Sequence, residues 1–473
     1  MLRVWPRLHA VAHDPRLVAF AVFAGVLIAA RELALSPLFH LGWQLIDFRV
    51  FWCGGQAALA GGNPYLYEPL HACEQRYGTA FLTASPNLVM PFVLPPYDIP
   101  VFEAFARLPL QLAELLFVAL DAIALAVGVV LVSASARVPL GLCAAALCMS
   151  VGLPSLSLGQ LAPLELCALA LTAFALSRRR DALAGACAVL TLLQPHAGAF
   201  VVIAVAVLVP RARLALAVAL AALAAVTAAV TAAVPTWYLG ALAQHAVAEA
   251  RSAQQYSLTY LLAYFHTPAG VALALGELST CVMLVTAIVL SSAALRRGLR
   301  SAVVYVPAAC AVLGGTFVHV SQIALAVPAA LLLFRHGASR PARALGAAGV
   351  VLLAIPWPFP VMLKHTLAAA LVVLAVTGWY VLGARLRLVL AAVLGCWLAL
   401  IPIENRPPPA ERTAILQHAR ATEIASVSWA AAIAQTSSPE PRDLLVKLPT
   451  WLGLIAVLGA ALLTARRRRD EPT

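Results

Sequence analysis

Charge is what this sequence has least of. Only 11% of its 473 residues are Asp, Glu, Lys or Arg, while 63% are hydrophobic; a soluble domain carries about a quarter charged residues. That scarcity excludes an ordinary water-soluble enzyme. Apolar runs of roughly 20 residues recur from end to end, each long enough to cross a bilayer as a helix. Segments of about ten residues alternating apolar and polar are missing, which excludes a membrane barrel. No Cys-x-x-Cys pair and no His/Cys cluster has metal-ligand spacing. No Asp-x-Asp stands in a nucleotide-site context and no Gly-rich phosphate loop occurs. A nucleotide-sugar donor, a cofactor and a bound metal are therefore not expected. The first apolar run, about residues 17–35, does not end in an Ala-x-Ala-type site, so it reads as a retained helix and not a cleaved signal peptide.

The charge that is present is lopsided, at a net +12. Nucleic acid is not expected as a partner, because the basic residues form no stripe and no aromatic platform accompanies them. They sit instead in short clusters between apolar runs, the pattern of cytoplasmic loops. Those clusters are Arg3/Arg7/Arg16, Arg137, Arg178 to Arg180, Arg211/Arg213, Arg296/Arg297/Arg300, Arg335/Arg340/Arg343, Arg385/Arg387 and Arg466 to Arg469. With these inside, the connections left outside are 36–110, the Gly159-Gln160 turn, the Gln194-Pro195-His196 break, 235–268, the Gly314 to His319 turn, the Pro356 to Pro360 turn and 404–447. The parity closes at both ends of the chain. The fold class expected is an all-α polytopic membrane protein with about 11–14 transmembrane or re-entrant helices.

Two places strain this threading. Residues 91–108 are too short and polar for an ordinary span and read as a re-entrant or interfacial helix begun by Pro95-Pro96. Residues 182–209 form an apolar stretch cut at Gln194-Pro195, where proline removes a backbone donor. Two half-spans meeting at the outer side fit; a single kinked helix would put Arg211 outside. In the loop 404–447 a helix is expected over 410–434, acting either as a solvated lid or in contact with an acceptor. Seven of the nine cysteines lie in or near apolar runs and read as small hydrophobes. Cys53 and Cys73 share the first outer loop, as a disulfide or as two free thiols.

Polar residues converge on the outer side. Asp47 lies in Gln44-Leu-Ile-Asp47-Phe-Arg49-Val-Phe51-Trp52, followed by the turn Gly61-Gly62-Asn63-Pro64-Tyr65. Gln160 follows Gly159 between two spans, Gln194-Pro195-His196 breaks another, and His319 stands at the outward end of a fourth. Each alone reads equally as a helix cap or a solvated terminus, and Asp47 as a partner for Arg49. Together, each at a helix break, they point to a polar cavity near the outer interface. Phe48, Phe51, Trp52, Tyr65 and Tyr67 suit either sugar stacking or an interfacial aromatic belt. Asp98 and Glu165 are further acidic candidates.

This order of features over roughly residues 17–335 resembles glycosyltransferase family 87: Asp47, the Gly-Gly-Asn-Pro-Tyr turn, Pro95-Pro96-Tyr97, Gly159-Gln160, the arginines before Gly185 and the Pro-broken helix, then His319. The resemblance implies the GT-C architecture of bacterial inner-membrane enzymes that move a sugar, mannose or similar, from a polyprenyl phosphate to an extracytoplasmic acceptor on a glycolipid or glycan. Membrane lipids would surround the site. By the same resemblance Asp47 is the general base that takes the acceptor hydroxyl proton. His319 faces the donor phosphate, which leaves as an anion and needs cationic or amide donors. Gln160, Gln194, His196 and Tyr65 are candidates to line that site, with Arg49 and Arg251 added by location. The pattern departs from relatives at Gln194-Pro195, where they have Lys-Pro, so the identity of the donor sugar is open. The catalytic module is expected over 1–335 and the remaining helices over 336–473. A lipid-linked-sugar transporter and a catalytically weakened scaffold are the alternatives.

Overall fold

The computed structural model describes residues 14–35, 45–79, 82–83, 86–230, 235–252, 254–358, 364–381, 417–436 and 441–466. Gln44, Arg3, Arg7, Arg385, Arg387, Arg467 to Arg469 and residues 404–416 lie outside them, so the expectations placed there have no structural counterpart. Among the described residues the fold is all-helical, with two isolated β-bridges and no strand. In chain order the helices used below are α1 (Pro15–Leu35), α2 (Ile46–Leu59), α3 (Tyr67–Tyr77), α4 (Ile99–Ala106), α5 (Leu110–Ala136), α6 (Leu140–Leu147), α7 (Leu153–Leu158), α8 (Ala162–Ser177), α9 (Asp181–Leu190), α10 (Pro195–Leu208), α11 (Arg213–Val230), α12 (Pro235–Glu249), α13 (Leu258–Tyr264), α14 (Ala269–Arg296), α15 (Ala302–Gly314), α16 (Val327–His336), α17 (Arg340–Leu353), α18 (Lys364–Val381), α19 (Ser426–Thr436) and α20 (Pro441–Arg466).

Five segments are long and apolar enough to cross a membrane unaided: α5, α6 continued through a π-turn into α7, α11 with the 3₁₀ turn before it, α14 and α20. Shorter apolar helices accompany them. This is a polytopic α-helical membrane protein. The α6–α7 segment is almost wholly enclosed by protein, whereas α11 leaves nearly all its surface to its surroundings; Leu214 there is 79% exposed. Such a face suits lipid and not water.

Side-chain contacts sort the helix ends into two sets. At one end Arg300 donates to the Leu176 carbonyl at 2.9 Å and pairs with Asp181, Ser301 donates to the Ser135 carbonyl, and His336 meets the Ala136 carbonyl. Gly185 of α9 lies against Ala212 and Leu216, so that end also holds the Arg211/Arg213 turn. A continuous helix through 181–208 would carry residue 212 roughly 40 Å from residue 185 at 1.5 Å per residue. The chain therefore doubles back at Gln194-Pro195, and α9 and α10 are two half-length helices side by side. At the other end Leu45 donates to the Ser157 carbonyl at 2.9 Å and Tyr97 to the Leu192 carbonyl at 2.6 Å.

The segments expected outside form their own layer at that second end. Helix α4 follows a 3₁₀ turn beginning at Pro96. It packs on α2 so closely that a Cβ on Gly55 would collide with the Phe102 carbonyl; glycine is needed for this approach. A disulfide joins Cys53 of α2 to Cys73 of α3. The late segment 417–425 is not helical, in contrast to the helix expected over 410–434. It is coil and turn, with its backbone paired to the start of α3: Leu66 bridges Ile424, Tyr67 donates to the Glu423 carbonyl at 2.8 Å, and Ala425 to the Tyr65 carbonyl at 2.9 Å. Helix α19 begins only beyond that pairing. On both sides of residue 335 the helices share one core, with Val327 to Leu333, Val350, Leu454 and Val457 in contact within it.

Candidate active site

The site is assembled where α2, the α7–α8 turn, the start of α10 and the end of α15 meet. Asp47 occupies the first turn of α2, where the helix dipole favours a carboxylate. Helix α7 stops at Gly159, whose φ of +79° lies in the left-handed region; a side chain there is strained. Its Cβ would also stand 2.6 Å from the Phe48 Cβ. This turn delivers Gln160, whose Nε2 donates to Asp47 Oδ2 at 2.6 Å. Burial raises the Asp47 pKa to about 7; the Gln160 bond opposes the rise and the negative charge of Glu249 adds to it.

From Gln160 the polar contacts continue into the loop after α15. Ser321 Oγ donates to Gln160 Oε1 at 3.4 Å. The His319 backbone N–H donates to Gln322 Oε1 at 2.9 Å, and Gln322 Nε2 donates to Gln194 Oε1 at 2.8 Å. The His196 ring, at the start of α10, lies beside Gln322. Gln194 is available here because the α9–α10 reversal leaves it extended, at φ −127° and ψ 93°.

Glu249 closes the arrangement on its other side. Its side chain is 3% exposed. Trp429 Nε1 of α19 donates to Oε1 at 2.9 Å and Gln255 Nε2 to Oε2 at 2.8 Å. His319 Nε2 stands 3.6 Å from Oε2, and His245 Nε2, one helical turn earlier in α12, 3.8 Å from Oε1. Burial by itself would raise the Glu249 pKa, but His319, His245, Trp429 and Gln255 together hold it below the ordinary value. Two carboxylates in one site are thus driven apart: Glu249 is a standing anion, and Asp47 is poised near neutrality. Such separation divides the roles of fixed charge and titrating base. Behind Gln255, the buried Lys447 of α20 donates to the Gln255 carbonyl at 2.7 Å and lies 3.4 Å from the centroid of the Tyr260 ring.

The sequence candidates fall into two groups. Asp47, Gln160, Gln194, His196 and His319 are brought together. Arg49 instead reaches Glu114 at 2.7 Å and the Tyr77 and Gly78 carbonyls. Tyr65 is fully buried, donating to the Leu94 carbonyl at 2.8 Å and packing on Phe92 and Tyr238, so its ring is core and presents no sugar platform. Arg251 sits on the exposed turn after α12. Asp98 is buried beside Tyr97, away from these contacts, and Glu165 is buried within α8.

Glu249, Gln255, Gln322, Trp429 and Lys447 were not singled out as site residues from sequence. A signal existed for two: His245 and Glu249 are four apart on an otherwise apolar helix, hence on one face, and Lys447 is one of two lysines in the chain. Two groups among the described residues have donors close enough to hold an ion: His245, Glu249 and His319, and, across the α3–417 contact, Glu68, His71 and His418.

Residues 92–320 match the model of glycosyltransferase family 87. No curated protein and no solved structure matches the chain.

Proposed function

We propose that this chain, whose residues 92–320 match the model of glycosyltransferase family 87, is a membrane glycosyltransferase that moves a sugar, mannose or similar, from a polyprenyl phosphate to a hydroxyl on a glycolipid or glycan. Asp47 is the base. The observation that carries the reading is its carboxylate, with pKa raised to about 7 by burial and adjacent to the amide of Gln160. A base with that pKa is half ionised at neutral pH and strong enough to accept a hydroxyl proton as the oxygen attacks.

The reaction balances without a further reactant. The acceptor oxygen forms a bond to the anomeric carbon, its proton passes to Asp47, and the bond from that carbon to the phosphate oxygen breaks. Polyprenyl phosphate leaves with the bonding pair. Its developing charge is met by N–H donors already held in place, His319 and the amides of Gln194 and Gln160, with His196 beside them. Donors fixed beforehand cost no reorganisation during the step. Gln194 supplies a dipole where relatives carry a lysine, so the phosphate end of the site relies on N–H donors in place of a lysine charge.

The site lies at the end opposite the arginine-rich helix termini. By the positive-inside rule that end is extracytoplasmic, in a bacterial inner membrane. The Cys53–Cys73 disulfide lies at the same end, in keeping with an oxidising compartment. The test is transfer of radiolabel from polyprenyl-phosphate sugars by purified protein in nanodiscs, with total membrane lipid as acceptor. Transfer by the native protein and none by Asp47→Asn is expected. Equal transfer by both would reject Asp47 as the base.

A further inference from the structure

The hydrogen bonds around Gln255 determine which nitrogen of His319 carries its proton. Gln255 Oε1 accepts from the Val318 backbone N–H at 2.8 Å. A backbone N–H only donates, so the amide cannot be turned the other way round. Its nitrogen, with two hydrogens, then faces two groups: Glu249 Oε2 at 2.8 Å and His319 Nε2 at 2.9 Å. One hydrogen goes to each. The ring nitrogen Nε2 is consequently an acceptor, and a neutral imidazole that accepts at Nε2 bears its hydrogen on Nδ1.

Everything around Gln255 holds that amide still. Glu249 is fixed by Trp429 from α19, and the Gln255 carbonyl is fixed by Lys447 from α20. The backbone of Tyr256 donates to the Val318 carbonyl at 2.8 Å, so the two loops are paired on either side. Glu249 is 3% exposed, whereas the His319 side chain is 32% exposed. Among the described residues no group hydrogen-bonds His319 Nδ1. The ring therefore turns its accepting nitrogen inward and keeps its donor unspent.

We propose that Glu249 and Gln255 are positioning residues that hold His319 as the Nδ1–H tautomer, offering that N–H to an oxygen of the departing phosphate. The inference rests on the transferase reading above and deepens it. Glu249 Oε2 stands 3.6 Å from His319 Nε2, beyond ordinary hydrogen-bond length, and the Gln255 amide bonds both groups. A neutral ring can still donate a strong hydrogen bond to a developing anion, and a fixed tautomer keeps that donor in place. The late outer segment joins the site through Trp429, which holds the carboxylate that orients the amide.

The test uses full-length protein labelled with ¹⁵N-histidine in nanodiscs, with His319→Gln to assign the His319 signals. Solid-state ¹⁵N spectra at neutral pH are expected to show a protonated Nδ1 and an unprotonated Nε2. A proton on Nε2, alone or together with one on Nδ1, would overturn the proposal. In the transfer assay Gln255→Met and Glu249→Gln are expected to lower kcat by about 10²–10³-fold, the scale for loss of one preorganised donor, with KM for the lipid donor nearly unchanged. Gln255→Glu keeps an acceptor for Val318 yet is expected to lose kcat equally, which separates tautomer control from loop folding. Native kcat in Gln255→Met would overturn the inference while leaving the reaction intact, provided Asp47→Asn is inactive. Native activity in Asp47→Asn as well would instead remove the reading on which it rests. Loss of transfer on chelation, restored by a divalent ion, would also overturn it by making His245, Glu249 and His319 a metal site.

Discussion

The bond from Gln160 to Asp47 carries a quantitative consequence for the pH profile. Replacing Gln160 with Met keeps the length and volume of the side chain but removes the donor 2.6 Å from Asp47 Oδ2. A hydrogen bond to a charged group contributes about 1.5–3 kcal/mol, and one pKa unit corresponds to about 1.4 kcal/mol. Loss of the bond therefore raises the Asp47 pKa by about 1–2 units from its value of about 7. On the proposed reading Asp47 must be ionised to work, so kcat/KM climbs with pH through the pKa and levels above it. In Gln160→Met that climb moves to about pH 8–9. At pH 7 the ionised fraction drops from about one half to between about a tenth and a hundredth, a loss of roughly 5- to 50-fold. Much of that loss returns by pH 9. The assay is initial-rate sugar transfer in nanodiscs from pH 5 to 10, with thermal midpoints taken at each pH to exclude unfolding. An acidic limb that superimposes on the native one would refute the idea that Gln160 sets the basicity of Asp47.

Other consequences follow from the same contacts. Asp47→Asn should lose about 10²–10⁴-fold in kcat while still binding the lipid donor, measured by single-turnover transfer and donor-binding titration. The same variant bears on stability. The native carboxyl has a folded pKa raised above its unfolded 3.8 to about 7, so its contribution to stability is full below pH 3.8 and lost as pH rises through 7. Asp47→Asn is thus expected to have the higher thermal midpoint at pH 8, an advantage that disappears toward pH 4. Replacing Cys53 and Cys73 by Ser opens a loop with sequence separation 20; chain entropy puts the loss at about 3 kcal/mol, read as a lower thermal midpoint that reductant no longer shifts. Gly159→Ala forces a side chain into the left-handed region, at about 1–2 kcal/mol, and onto Phe48, so both thermal midpoint and kcat should fall.

Much of the architecture was legible because lipid leaves few options. Apolar length and arginine position are strong signals when every backbone group must be satisfied internally. The Pro195 reversal was readable for the same reason: proline removes a donor that a continuous span would need. Asp47, Gln160, Gln194, His196 and His319 were legible because a polar residue at a break in an apolar run is costly and conspicuous. Arg49 and Tyr65 lie outside that cluster because sequence proximity to Asp47 does not give direction; successive helical positions point different ways, and Arg49 turns to Glu114. Glu249, Gln255 and Trp429 were hidden in the connections 235–268 and 404–447, where polar residues are unremarkable. Their significance comes from tertiary contacts that bring α12, the following turn and α19 together. The helix expected over 410–434 failed at 417–425 because backbone pairing with residues 65–67 overrode local helical preference.

The central claim is that a carboxylate poised near neutral pH deprotonates an acceptor as a lipid phosphate departs. It is tested most directly by offering purified native protein and Asp47→Asn the same panel of radiolabelled polyprenyl-phosphate sugars with membrane lipid as acceptor. The account predicts label transferred from one of these donors by the native protein alone, without added metal. Label transferred equally by Asp47→Asn, or by neither protein while both bind the donor lipid, would contradict it.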